Sequence, residues 1–443
     1  MQGFQHPSFY EPQRRNVQRV DHSKGRETVK MIALNIGILK QKKWLAASAA
    51  GLFLFFLLLT FPSAPSSYTS GTSTSTSGSS RADNAVEIST KKISYDKTTP
   101  PTVGCESIVI AQQQLLISEY TKILKDIRYV NIWGYLETEN KGDAAIWVAQ
   151  QILLNMLGIT TMEVCRYVDR DCDIEKFAGA LKEHEHSAIV IAGGGNTNDF
   201  YWDDVPSRFK MMAKFPDVPV RSFPQSIYFT KPDKLNQTLT NYGAHPDLQL
   251  CARDRPSFDF LEEHFKPQGI DTRLTPDIAF MFGDRHDIRL NTPKKWDILI
   301  LARDDWEVTK GAESELKEGE GTLTLPTGRT VTYKKIDWKK IPTGGINDEG
   351  HKELGKNQRA YAKAMDGFAL LASSRFVITD RLHGHIMTTV LGVPHVLLDS
   401  KLKKNLNYHG TWTEECGCVR VVDDMGEAMG MAGMFFEVAE NRA

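Results

Sequence analysis

Residues 187–196 read SAIVIAGGGN, a hydrophobic run closed by three glycines and an asparagine. The run lacks apolar–polar alternation, so it suits a strand covered on both faces, as in a parallel sheet. The glycines behind it let backbone come close to a ligand and predict a loop at the strand's carboxyl end. The flanking sequence repeats the unit. Residues 129–134 are a short apolar strand leading into Glu139-Asn140-Lys141-Gly142-Asp143. Residues 144–157 then place Ile146, Val148, Ile152, Leu153, Met156 and Leu157 at helical spacing. Residues 175–185 predict another helix. Residues 219–222 and 248–252 predict strands, ending at Pro224-Gln225-Ser226-Ile227 and at Arg253-Asp254. Strand, polar loop and helix in succession specify a doubly wound α/β fold.

A second series begins at residues 296–302 (WDILILA) and is interrupted by a polar insertion from about 309 to 350. It resumes with a helix at 357–373, a strand at 375–379, a helix at 383–391 and a strand at 395–399. The expected architecture is α/β, with Rossmann-like domains at 103–290 and 291–443 facing across a cleft near the linker 287–295. That arrangement resembles the GT-B fold of glycosyltransferases.

The 443 residues carry 54 Lys and Arg against 55 Asp and Glu, and 41% are hydrophobic. These averages exclude collagen, wholesale disorder and a polytopic membrane protein, and they give no bias toward nucleic acid. The charge is nevertheless divided by position. Residues 1–43 hold nine basic and three acidic residues, a net +6 that leaves −7 for the remainder. Residues 44–61 (WLAASAAGLFLFFLLLTF) carry no charge and end at Pro62. As a helix they span about 27 Å, enough for a thin bilayer. With basic residues on the N-terminal side, they read as a type II signal anchor with a cytoplasmic tail. Residues 62–102 begin with a Ser/Thr-rich, uncharged stretch and read as a stem. All six cysteines follow the anchor, where disulfides form, and the sequence does not choose among fifteen pairings. Asn236-Gln237-Thr238 is a glycosylation sequon in this topology.

Polar residues at the strand ends are the candidate site. Gly193-Gly194-Gly195-Asn196 matches neither the dinucleotide nor the P-loop fingerprint, so alone it reads as a tight structural turn, with a ligand loop as the alternative. Asp143 is a helix-start acid or a carboxylate facing the cleft. Arg253 follows an apolar run, beside Asp254. Residues 378–385 (ITDRLHGH) are the most informative: a strand ends in Asp380, Arg381 and His383. Arginine can fork onto a phosphate or carboxylate, and histidine can move a proton near neutral pH. Lys404, after the next strand, is either a further cation for the cleft or part of a solvated loop. The plain alternative for His383 is a core histidine.

In these residues the chain resembles the polysaccharide pyruvyltransferase family, over roughly residues 105–420. The resemblance is carried by Asn140 to Asp143, Gly193 to Asn196, Pro224 to Ile227, Arg253-Asp254 with Ser257, Asp277 in Thr275-Pro276-Asp277, and Thr379 to Gly384. With the anchor and stem, the chain is most similar to fungal Golgi members. The resemblance implies a GT-B-like transferase in the Golgi lumen, with phosphoenolpyruvate as donor. It would place pyruvate on a terminal β-galactose of a glycan as a 4,6-ketal, without a cofactor or a metal. Donor binding would fall to Arg253, Arg381, Leu382, His383 and Lys404, and catalysis to His383, Arg381 and Asp143. Acceptor binding would fall to Asn140, Gly194 and Asn196. A nucleotide-sugar glycosyltransferase on the same fold and a non-catalytic glycan-binding membrane protein are the competing readings.

Overall fold

The computed structural model describes residues 96–440 apart from 136, 167–171, 313–314 and 342–353. These residues fall within one compact unit, Asp83–Ala443. The cytoplasmic tail, the segment 44–61 and the stem up to residue 95 lie outside the described residues. No helix of the described residues is long and apolar enough to cross a membrane.

The first half runs α1 (Glu106–Ile123), β1 (Tyr129–Trp133), α2 (Lys141–Met156), β2 (Thr160–Cys165), α3 (Ile174–Glu183), β3 (Ser187–Ile191) and β4 (Gly194–Asn198). It continues with α4 (Asp204–Lys214), β5 (Val220–Ser222), β6 (Gln225–Tyr228), α5 (Pro232–Gly243), β7 (Leu248–Ala252), α6 (Arg255–His264) and β8 (Asp271–Leu274). The strands form one sheet, ordered β2-β1-β3-β5-β7-β6-β4 with β8 also on β7, and every pairing is parallel.

The short helix α7 (His286–Asn291) leads to β9 (Trp296–Leu301), β10 (Gly319–Thr324), β11 (Thr330–Ile336), α8 (Lys356–Ala372), β12 (Ser374–Thr379) and α9 (Leu382–Leu391). Then follow β13 (His395–Leu397), α10 (Lys404–Tyr408), β14 (Val419–Val421) and α11 (Met425–Glu440). The second sheet is ordered β10-β11-β9-β12-β13-β14, and β10–β11 is its antiparallel pair. The apolar runs behave as two-sided burial requires: β7 is buried throughout, as are the last four residues of β3, β9 and β12. Side chains start the helices. Asn140 caps α2 through Gly142 N, Asp173 caps α3 through Lys176 N, and Asp254 caps α6 through Ser257 N. One hydrophobic core joins the halves, running from Val130, Ala149 and Leu153 to Leu301, Phe368 and Val377.

The structure corrects the sequence reading at three places. First, the glycine run is a strand. Ala192 N still donates to Trp133 O at 2.8 Å, after which the chain leaves β1 through Gly194 at φ +140° and pairs with β6 as β4. The predicted strand at 219–222 breaks similarly at Phe223-Pro224 and continues as β6. Alternating Thr and Asn on β4 hid it, because its side chains face polar partners rather than a greasy core. Second, the polar insertion is part of the second sheet: β10 and β11 form a hairpin, and β11 lies parallel to β9. Third, the linker 287–295 is not at the cleft, since α7 occupies much of it and none of its residues lines the cavity described below.

Two disulfides, Cys105–Cys416 and Cys165–Cys172, leave Cys251 and Cys418 as buried thiols. The first ties the start of α1 to the far end of the chain. Residues 96–102 are held there too: Lys97 Nζ lies 2.5 Å from Asp423 and 2.7 Å from Glu427, and Thr102 N donates to Gly417 O.

Candidate active site

The break in the first sheet opens a gap between the start of α2 and β4. A cavity of about 440 Å³ fills it, in the range of small-molecule sites. Its walls are the carboxyl ends of strands from both sheets, where parallel sheets bind ligands. The first half contributes Asn140, Asp143, residues 193–196 and Arg253. The second contributes Arg303, Glu307, Trp338, Lys339, Arg381, Leu382, His383 and Lys404.

Arg253, just past β7, is 2% exposed and fixed on two edges of its guanidinium. Its Nε donates to Ser226 Oγ at 2.8 Å and one amino group to Asp277 Oδ2 at 2.8 Å. The other amino group lies under Gly195: a Cβ there would sit 2.8 Å from it and 3.4 Å from Lys404 Nζ. Glycine at 195 thus leaves room for the ends of both cations, which a side chain there would push aside. Asp277 also lies 3.4 Å from His383 Nε2 and accepts from Ala279 N at 2.9 Å. Burial alone would raise its pKa. His383, Arg253 and the amide outweigh that and hold the carboxyl well below the usual range. One anionic carboxylate thus orients the arginine of the first half and the histidine of the second.

Arg381 precedes α9, and its side chain does not cap that helix. It donates through one amino group to Asp337 Oδ2, with Asp305 Oδ2 at 3.7 Å, while its buried Nε has no hydrogen-bond partner among the described residues. Leu382 and His383 open α9, whose N-terminal amides and dipole favour an anion. His383 packs directly on the start of α2, where a Cβ at Gly142 would fall 2.7 Å from it. The start of α2 and that of α9 therefore share one wall.

Lys404 begins α10 with Nζ 3.3 Å from Glu307 Oε1 and 5.3 Å from the Tyr201 ring centre. Burial, partly offset by Glu307, lowers its pKa to about 8. Glu307 is 1% exposed; it also accepts from the Tyr201 hydroxyl at 2.5 Å and lies 3.1 Å from Arg303. Burial would raise its pKa, but Lys404 and Arg303 reverse the direction. Asp380, beneath the site, is pushed up to about 6 by burial.

The predicted residues Asn140, Asp143, Gly194, Asn196, Arg253, Arg381, Leu382, His383 and Lys404 all line this cavity. Their detailed roles differ. Asn140, not Asp143, caps α2; its amide then donates to Asp143 Oδ1 at 3.0 Å while Thr138 donates to Oδ2 at 2.7 Å. The amide of Asn196 is engaged at both ends, with Arg208 at 2.8 Å and Asp204 at 3.0 Å, so it positions Asp204, itself a lining residue. Asn236 lies away from the cavity, exposed on α5, with Thr238 buried and donating to Lys234 O.

Sequence reasoning missed Arg303, Asp305, Glu307 and Tyr201, and also Asp337, Trp338 and Lys339 at the end of β11. A signal existed for the last group. Residues 319–336 alternate apolar and polar around Pro326-Thr327-Gly328, a hairpin pattern inside the supposed insertion.

Residues 140–401, more than half of the chain, match the family model described as polysaccharide pyruvyl transferase. The chain belongs to the polysaccharide pyruvyl transferase family. It is 33% identical over 352 residues to pyruvyl transferase 1 of Schizosaccharomyces pombe, covering 78% of this chain and 85% of that one. To EpsO of Bacillus subtilis it is 27% identical over 245 residues, 53% of this chain and 72% of the other. Among solved structures, an uncharacterized Klebsiella pneumoniae protein is 15% identical, with a TM-score of 0.47, and the match covers 70% of this chain and 98% of that one. Membership in the pyruvyl transferase family makes the chain a transferase and implies a glycan acceptor.

Proposed function

We propose that this enzyme transfers pyruvate from phosphoenolpyruvate to a terminal galactose of a glycan as a 4,6-ketal, on a GT-B-like scaffold. We place it in the Golgi lumen behind the type II anchor at 44–61. The observation that carries the donor assignment is the convergence of Arg253, Arg381 and Lys404, from both halves, around His383. Phosphoenolpyruvate presents a phosphate and a carboxylate, and the three cations lining the cavity match that pair of anions. The unpartnered Nε of Arg381 and the amides of α9 supply further donors.

The chemistry balances without a redox step. Protonation of the donor's methylene carbon makes it a methyl group and leaves a cationic centre at C2. One sugar hydroxyl adds to C2, inorganic phosphate departs with its C–O bond, and the second hydroxyl closes the ketal. Of the two hydroxyl protons, one is balanced by the methyl group and the other leaves on hydrogen phosphate. His383, oriented by Asp277, is assigned a proton transfer at the donor, and Asp143 is assigned to the acceptor hydroxyls. Arg381 stabilises charge on departing phosphate. These steps call for neither a metal nor a cofactor.

The test incubates the full-length chain with phosphoenolpyruvate and a β-galactoside, following phosphate release and the new methyl resonance by NMR. Thermal shift is measured in parallel with phosphoenolpyruvate, UDP-sugars and GDP-sugars. Stabilisation by a nucleotide sugar alone, with no phosphate release, would instead indicate a nucleotide-sugar glycosyltransferase.

A further inference from the structure

Seven large hydrophobic side chains are exposed among the described residues, and three of them are aromatic: Phe200, Trp306 and Tyr361. Phe200 and Trp306 are stacked on each other, with ring centres 5.4 Å apart and planes 17° from parallel. They come from different halves: Phe200 follows β4 and Trp306 follows β9. Each is nonetheless about half exposed, 47% and 46%. A clasp serving only to join the halves would gain by burying these faces, at about 25 cal/mol per Å². Leaving two adjoining aromatic faces wet marks an interaction surface.

The pair is continuous with the cavity. Each ring is the sequence neighbour of a lining residue, Tyr201 and Glu307, which are joined by the 2.5 Å hydrogen bond between the halves. Trp306 lies 6.1 Å from the Tyr201 ring, and Phe200 lies 5.7 Å from the Tyr228 ring. The exposed pair thus adjoins two half-buried rings, Tyr201 on the Lys404 side and Tyr228, whose hydroxyl is buried. The other aromatic pair at the site, Tyr135 and Trp147, is buried in the cavity wall and has no outward face.

We infer that Phe200 and Trp306 form a second glycan subsite, which holds the sugar preceding the acceptor residue as the glycan leaves the cavity. Sugar rings present a face of weakly polarised C–H groups, which suits the electron-rich face of an aromatic ring. Exposed Trp beside a polar cavity offers that face without a charge to desolvate. The inference rests on the glycan acceptor of the proposed function but not on the donor.

The test compares a single-residue β-galactoside with a galactose-terminated tetrasaccharide, using the full-length chain. Trp306→Ala should raise KM for the tetrasaccharide roughly tenfold, the value of one good aromatic contact. KM for the monosaccharide glycoside and for the donor should move less than about twofold, and Trp306→Phe should recover most of the loss. Phe200→Ala should give a smaller shift of the same pattern. Equal changes for both acceptors, or none for either, would overturn the subsite. Saturation-transfer NMR without donor provides a second reading on the unmodified protein. The penultimate sugar should receive saturation, and its absence from that sugar would also overturn the inference. Should phosphoenolpyruvate not be the donor, the NMR measurement still decides the subsite.

Discussion

His383 and His385 stand two residues apart on α9 and meet opposite surroundings. A helix turns about 100° per residue, so these positions face different sides. His383 lines the cavity, with Nε2 3.4 Å from Asp277. His385 is fully buried, with Nδ1 2.8 Å from His395 Nε2 and Nε2 2.9 Å from Thr413 Oγ1. Its proton positions follow from the chain of partners. His395 Nδ1 faces Val393 O at 2.9 Å and must donate, so His395 Nε2 accepts from His385 Nδ1. His385 Nε2 then accepts from the Thr413 hydroxyl, which in turn accepts from His409 Nδ1 at 2.9 Å. Burial drives His385 well below its ordinary pKa, His395 to about 4 and His409 to about 3. One histidine keeps a nitrogen beside a carboxylate in a cavity; the other commits both nitrogens to the scaffold.

Substitution should separate them. His383→Gln should lower kcat by about 10²–10⁴, the range for a lost proton-transfer group, with little change in Tm. His385→Gln should do the reverse, leaving kcat of the folded protein within about threefold. It should cost about 2–4 kcal/mol of stability, because buried partners lose their bonds. Similar kcat losses in both variants would erase the distinction between the two faces of α9.

The same contrast extends to the two arginines. Arg253→Gln and Arg381→Gln should each reduce transfer by about 10²–10³, as expected for a charge-stabilising group. Their stabilities should differ. Without Arg253, the buried Asp277 loses its guanidinium partner and keeps only the Ala279 amide and the His383 ring beside it, a loss of about 3–5 kcal/mol. Without Arg381, Asp305 still has Arg303 and Lys339, and Asp337 still accepts from two backbone amides. Urea denaturation should therefore rank Arg253→Gln as clearly less stable. Equal denaturation midpoints would show that the acidic lining of the second half does not compensate its own cations.

Much of this was legible before any coordinates. The buried strands are unbroken apolar runs, and ITDRLHGH marks a strand end that opens on the cavity. What stayed hidden was of two kinds. The strand β4 (GGNTN) carries no hydrophobic signal, because its partners are Arg208, Gln225 and Asp204 rather than a core. The partners of the cations lie far off in sequence: Asp337 is 44 residues from Arg381, and Glu307 is 97 from Lys404. Which carboxylate neutralises which arginine is decided by sheet order, and no local pattern encodes it. The two histidines of His383-Gly384-His385 were likewise indistinguishable until the helical phase of α9 was known.

Acid sharpens the comparison further. The buried histidines have folded pKa values below their unfolded value of about 6.5. The unfolded chain therefore takes up protons first as pH falls. Their contribution to stability is complete above about 6.5 and is lost progressively toward pH 4 and below. The fall should approach about 1.4 kcal/mol per histidine per pH unit within that window. His395→Gln should flatten the wild-type profile over this window. A His395→Gln profile as steep as the wild type would remove the buried histidines as the source of the acid loss.

The smallest effect concerns Lys404, on the alkaline side. With its pKa lowered to about 8 by burial, the cation proposed to hold the donor begins to lose its charge above that pH. Because kcat/KM reports groups of the free enzyme, its value for phosphoenolpyruvate should fall up to tenfold per unit above about pH 8. Lys404→Arg should hold its charge and keep the profile flat through pH 9.5, even if its value at pH 7 is reduced. Unfolding does not account for such a fall. A lysine whose folded pKa lies below its unfolded value of about 10.4 makes the protein more stable, not less, as pH rises between the two. Thermal stability measured on the same samples should show no loss attributable to this group while donor capture declines. A wild-type profile that stays level to pH 9.5 would remove Lys404 from the donor site and leave Arg253 and Arg381 as the cations that hold the anion.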